Sequence, residues 1–182
     1  MNVSMATGDD EWPKCDPEYL KALGRAVYNF AVLEITVVWI IERFRRGYFS
    51  EYAGAKNKTA GIVAKDFAEV ARQVKMGAAE AELAKNFPDA QQAKRHAAEA
   101  ELTAISKTFS DLKERRNKLL HANPAIFVVD GQVSNGLHYP AHDIWWNIHT
   151  VGQAAADFAA AAEEANRVLA ILVIYSPEPG EK

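Results

Sequence analysis

From Asp16 to Gly47 the chain carries one uninterrupted amphipathic pattern, in which Leu20, Leu23, Val27, Phe30, Val37, Ile41 and Phe44 recur at three- and four-residue spacing. Asp16 followed by Pro17 is a helix start, with a capping carboxylate and a proline at the first helical position. A helix of about eight turns with so long an apolar stripe needs other helices to cover it. The rest of the chain supplies them. "GYFSEYAGAKNK" reads as a loop, after which Thr59 caps a second helix using Ile62, Val63, Phe67, Val70 and Val74, stopping near Gly77. Ala78 to Ala90 reads as short helix plus turn, broken at Pro88. A third long helix spans Asp89 to His121, with the stripe Leu102, Ile105, Phe109, Leu112, Arg116 and Leu119 or Leu120, and Pro124 forbids much extension. "AIFVV-DG-QVSNGLHY" has the alternation and Asp-Gly turn of a β-hairpin, Ile126–Tyr139. A fourth, alanine-filled helix spans Asp143 to Tyr175, before Pro177.

The predicted fold class is therefore all-α, a helical bundle of four main helices with a small β-hairpin inserted before the last. Residues 1–15 read as a flexible N-terminal tail, 16–176 as a single helical domain and 177–182 as a C-terminal tail. A face such as "QAAADFAAAAEEA" lets helices approach closely, or meets a second copy of the chain.

With 182 residues, 49% hydrophobic and 25% charged, the chain has the composition of a soluble globular domain. Its net charge of −3 excludes an all-round basic coat, yet cations cluster locally. Lys107, Lys113, Arg115, Arg116 and Lys118 stand against Asp111 and Glu114, and Arg43, Arg45 and Arg46 form a second cluster. A polyanion can be held at these places, with Arg115 and Lys118 the candidate binding residues. The single cysteine, Cys15, excludes an internal disulfide and any thiolate zinc site. The polar, acidic opening is unlike a targeting peptide, and the most apolar run, Phe30 to Ile41, is too short for a bilayer and holds Glu34. These features predict a cytoplasmic protein without a membrane partner.

Two polar residues interrupt the apolar stripes. Glu34 lies four after Phe30 and three before Val37; Arg116 lies seven after Phe109 and four after Leu112. Both fall on buried seams, where an unpaired charge is costly, so they either face each other or line one polar cleft. A closed buried pair would make Glu34→Gln cost about 3–5 kcal/mol. It would equally serve as a core ion pair that does no more than set helix register. His121 lies five residues beyond Arg116, roughly 140° around a regular helix, so the two share no face unless the helix unwinds at Leu120 or another subunit completes the site. A histidine in that position also suits the negative end of the helix dipole.

"RNKLLH", Arg116 to His121, resembles the R-(N/D/H)-x-x-x-H signature of the HEPN superfamily, which falls late in a long helix of an all-α bundle. The first helix, "LGRAVYNFAVLEITVVWIIE", resembles members in which an early helix presents a glutamate within an apolar run, the place held here by Glu34. The hairpin that follows the motif departs from the plain bundle. The resemblance implies a HEPN-like helical bundle and, as in many members, a metal-independent endoribonuclease acting as a toxin or phage-defence component. Arg116 and His121 would be catalytic, with Asn117 supporting them and Glu34 orienting Arg116. It implies RNA as substrate, a cognate antitoxin as a possible partner, and no cofactor. The alternative is a catalytically inactive HEPN-like interaction or dimerisation module; a third is a helical ligand-binding or scaffold protein that carries the motif by accident.

The chemistry suits these residue types. Attack of a ribose 2′-OH on the adjacent phosphorus leaves a 2′,3′-cyclic phosphate and a 5′-OH, and needs a proton taken from the nucleophile and one given to the leaving oxygen. Imidazole serves both steps. A guanidinium stabilises charge on the phosphoryl oxygens. In-line transfer wants a group on each side of the phosphorus while the motif offers one histidine per chain, so a two-fold homodimer with a shared cleft is expected. His138, His142, Asp143 and His149 do not have the spacing of a metal site, because Pro140 separates the first two. Trp145 and Trp146 either stack bases or, as a bundle more often uses them, place one ring in the core and the other half exposed.

Overall fold

The computed structural model describes residues 15–54, 58–77, 89–129 and 132–175. In chain order these form α1 (Pro17–Phe44), α2 (Tyr48–Ala53), α3 (Ala60–Gly77), α4 (Asp89–Leu120), β1 (Asn123–Val129), β2 (Gln132–Tyr139), β3 (Ile144–Trp146) and α5 (Ile148–Tyr175). The protein is mostly helical, with one small antiparallel sheet of order β1-β2-β3. Residues 1–14 and 176–182, the segment 78–88 and the Asp130-Gly131 turn lie outside the described residues.

The long helices begin where their caps place them. Asp16 accepts a hydrogen bond from the Glu18 amide at 2.9 Å ahead of Pro17, and Thr59 takes the Ile62 amide at 3.4 Å ahead of α3. α1 packs chiefly on α5, and α3 and α5 both pack on α4. Phe30 of α1 stacks on Phe109 of α4 at 5.9 Å and meets Phe158 of α5 edge-on at 5.3 Å, while Phe67 of α3 closes on Phe109 at 6.5 Å. One aromatic cluster thus joins all four long helices. The α5 face toward the core is Val151, Ala154, Ala155, Phe158, Ala162, Ala165, Val168 and Leu172. Its alanines bring α1 near enough for Asn29 to donate to the Ala155 carbonyl at 2.9 Å.

Several expectations need correction. The first three turns of α1 bury Tyr19 and Ala26, and leave Leu20 and Val27 about half exposed. Tyr19 sets this phase, because its hydroxyl donates to the Trp146 carbonyl at 3.1 Å, and burial pushes its pKa up to about 12. The expected loop after Gly47 contains α2. Glu42 accepts the Gly47 and Phe49 amides at 2.9 and 2.7 Å, satisfying the free end of that short helix. The buried Tyr48 donates to Asp66 at 2.9 Å beneath the Lys58 ammonium. These partners are distant in sequence, so local pattern could not reveal them. By length and composition α1 would also suffice to cross a membrane, with mean hydropathy 1.4 over its most apolar window. Here its stripe from Phe30 to Ile41 lies in the core.

The expected hairpin is the first part of a three-stranded sheet, so the fold is not purely α. Val129 faces Gln132 across the turn, and Leu137, His138 and Tyr139 pair with Trp146, Trp145 and Ile144. The last helix accordingly starts at Ile148 and not at Asp143. Asn147 is the cap, taking the Thr150 amide at 2.9 Å. Asp143 instead adopts a left-handed conformation, φ 50°, in the corner between β2 and β3. Aromatic and β-branched residues at 144–146 favour the strand once β2 lies beside them.

Gly136 is the tight point of the sheet. A Cβ there would stand 1.9 Å from Phe127 Cε2 and 2.6 Å from the Trp146 carbonyl oxygen. The second contact is backbone and cannot rotate away. Gly136→Ala should therefore cost about 1–3 kcal/mol by overpacking. Gly152→Ala, which meets nothing within 4 Å on α5, should stabilise by about 0.5–1 kcal/mol. Urea denaturation midpoints of the two variants check both signs; equal midpoints would show that the sheet yields freely.

Candidate active site

The last two turns of α4 present their polar residues in three directions. Arg116 faces α1, where its Cζ lies 5.5 Å from the centre of the Phe30 ring, and its Nη1 donates to Asn117 Oδ1 at 3.1 Å. Asn117 thus holds the guanidinium. Glu34 of α1 is half-buried and feels the charge of Arg116. The two nevertheless do not close to ion-pair distance among the described residues. Of the two arrangements expected, the closed buried pair is not formed; the two charges stand near each other without ion-pair contact.

The electrostatics agree. Burial raises the Glu34 pKa, and neither Arg116 nor the nearby Tyr52 hydroxyl lowers it enough to offset that. Tyr52 is raised as well, first by burial and then by the neighbouring Glu34 carboxylate. Tyr52 lies on α2, which the sequence pattern did not disclose. It is the site residue that sequence reasoning missed, and its four-residue offset from the buried Tyr48 was the available signal.

His121 is placed elsewhere. Its amide still donates to the Asn117 carbonyl at 3.0 Å, so helical winding persists through it; unwinding begins one residue later, where the Ala122 amide reaches back to Leu119 at 3.4 Å. The imidazole consequently remains roughly 140° around α4 from Arg116. It is exposed. Within one chain, Arg116, Asn117 and Glu34 come together and His121 does not join them.

The third direction belongs to Arg115 and Lys118. Arg115 forms an ion pair with Asp157 of α5, and its Cζ lies 5.8 Å from the centre of the Trp146 ring. Together with Lys118, Asp111, Glu114, Trp145, Trp146 and Thr150 it lines a groove of about 370 Å³ between α4, β3 and the start of α5. Lys113, bound to Glu114 at 2.6 Å, stands nearby. Trp146 is in the core, with its indole nitrogen buried and unpartnered among the described residues. Trp145 is half-buried, stacked on His138 at 3.8 Å and edge-on to Phe127 at 5.0 Å. Asp143 takes both the Trp145 indole N–H at 2.9 Å and His138 Nε2 at 3.0 Å. Among the described residues no group of three or more His, Cys, Asp or Glu side chains is gathered as metal ligands.

Comparisons of the chain with protein-family models, curated proteins and solved structures find no match.

Because the folded state raises the Glu34 pKa above its usual 4.5, this group favours folding most when protonated. Its contribution is full below the unfolded-state pKa and is lost as pH rises through the window up to the folded value. Glu34→Gln should therefore change stability at pH 7 by about 1 kcal/mol or less, in place of the cost of breaking a closed pair. It should also flatten the decline in stability just above pH 4.5. Thermal melts from pH 4 to 7 decide the matter; a large loss at pH 7 would restore the closed pair.

Proposed function

We propose that this chain is a HEPN-like, metal-independent endoribonuclease, a toxin or phage-defence component that cleaves RNA by attack of its own 2′-OH. The observation that carries the reading is the setting of Arg116. Its guanidinium is held by Asn117 at the end of a long helix, opposite a glutamate presented within the apolar run of α1. Helix order and motif position fit the same family. In this reading Arg116 stabilises the phosphoryl oxygens, Asn117 and Glu34 fix its direction, and Arg115 and Lys118 draw the backbone to the end of α4. His121 moves the protons. The 2′-oxygen bonds to phosphorus as its proton leaves, the bond to the 5′-oxygen breaks, and that oxygen takes a proton, leaving a cyclic phosphate and a 5′-OH.

In this reading a second copy of the chain answers the divergence of Arg116 and His121. A two-fold axis beside the end of α4 would bring His121 of one protomer to Arg116 of its partner and set an imidazole on either side of the phosphorus. The same divergence favours a second reading, an inactive HEPN-like module that binds or dimerises without cleaving.

Pure protein incubated with total RNA in EDTA should cleave it to 2′,3′-cyclic phosphate and 5′-OH ends and leave DNA intact. Arg116→Ala and His121→Ala should each lower the rate at least about a hundredfold, as loss of an acid–base or charge-stabilising group does. Activity that vanishes in EDTA and returns with a divalent metal would falsify the mechanism; RNA that survives every condition selects the inactive module. When wild-type and His121→Ala chains exchange subunits, activity should fall as the square of the wild-type fraction. Simple proportionality would sink the shared cleft.

A further inference from the structure

Resting on the endoribonuclease reading, we propose that the groove between α3 and α4 is a phosphodiester-binding track, with Lys65 and Lys107 holding the RNA strand at a distance from the cleavage site. The groove encloses about 690 Å³. Its floor is made of small residues, Gly61, Ala64, Ala68 and Ala71 from α3 and Ser106 and Ser110 from α4. They leave an open trough whose walls carry Lys65, Arg72, Lys107 and Lys113 against the single carboxylate of Asp111. In an acidic protein, that local excess of positive charge is the opposite of the average surface.

The four cations are not equivalent. Lys113 is bound by Glu114 at 2.6 Å and Arg72 by Glu69 at 2.6 Å. Lys65 and Lys107 are exposed, one on each wall, and among the described residues neither has a carboxylate within 4.0 Å. Arg45, Lys58, Arg115 and Arg167, by contrast, are each engaged by a carboxylate of the protein. Two ammonium groups left uncompensated across a trough suit an anion that brings its own charges in series, such as a nucleic-acid backbone. The direction of the trough matters too. Asp111 lines both this groove and the one beside Arg115 and Lys118, so the two adjoin at that residue of α4. On a regular helix Lys107, Glu114, Lys118 and His121 fall on one outward stripe, and Lys107 precedes His121 by about 21 Å. A strand in the trough is delivered toward His121, and a dinucleotide at His121 cannot reach Lys107.

Binding of a fluorescein-labelled single-stranded RNA of 12 nucleotides to the full chain carrying His121→Ala, followed by anisotropy, reads this track without cleavage. Adding Lys65→Gln and Lys107→Gln should weaken Kd about tenfold near 0.1 M salt. The same change should lower the slope of log K against log salt by about 1.4, at about 0.7 per phosphate contact on a single strand. The paired Lys65→Arg and Lys107→Arg variant should restore both. In the chain with His121 intact, the glutamine pair should raise KM for the long RNA far more than KM for a dinucleotide. An unchanged Kd and slope in the glutamine pair, or an arginine pair that fails equally, overturns the track. RNA bound with the expected slope change but never cleaved by the wild-type chain supports the track and overturns the endoribonuclease reading alone.

Discussion

The Phe30 ring is the contact on which the architecture turns. It meets Phe109 and Phe158 on its own account, and Phe67 reaches it through Phe109, so four helices distant in sequence share one apolar junction. Fully burying a side chain of this kind is worth about 1.5–3 kcal/mol, before the geometric preference of paired rings is added. The same ring also carries Arg116 at its edge of the core. Packing and candidate chemistry are therefore joined at one residue, and the guanidinium is directed by the alignment of α1 with α4.

Around that junction the polar groups are arranged by desolvation more than by pairing. Glu34 is raised by burial even with Arg116 nearby, whereas the less buried Asp66 is lowered overall by Lys58 and Tyr48. Shallower burial and direct contact together make the difference. Lys58 stands 2.9 Å from Asp66 and 3.0 Å from Glu51, closing a network that pins α2 to α3. Having been pinned, α2 brings Tyr52 to Glu34. A half-buried carboxylate left without an ion pair beside a guanidinium is where function is best sought.

The sheet does for the far side of α4 what α2 does for the near side. Three strands place Trp146 in the core and Ile144 and Trp145 along the groove, and end at Asn147, which starts α5. The alanine face of α5 then allows α1 to approach closely and completes the bundle. Arg115, held between Asp157 and Trp146, ties sheet, α4 and α5 together within one side chain. Its pairing with Asp157 means that Lys118 is the freer of the two cations assigned to substrate.

Much of this was legible in the residues. The starts of α1 and α3 follow from Asp16-Pro17 and Thr59, the end of α4 from Pro124, and the strand pair from alternation around Asp130-Gly131, because caps, proline geometry and side-chain periodicity act within a few residues. The same periodicity put Arg116 and Glu34 on the inner faces and His121 on another. The phase of the first turns of α1, the existence of α2, the third strand and the later start of α5 were not legible. Each depends on a partner far along the chain: Trp146 for Tyr19, Lys58 and Asp66 for Tyr48, and Leu137 to Tyr139 for Ile144 to Trp146. So does the distance between Glu34 and Arg116. Sequence spacing determines which face of a helix a charge occupies; the separation of two helices, and hence whether opposite charges close or remain partly desolvated apart, is set by the summed packing of everything between them.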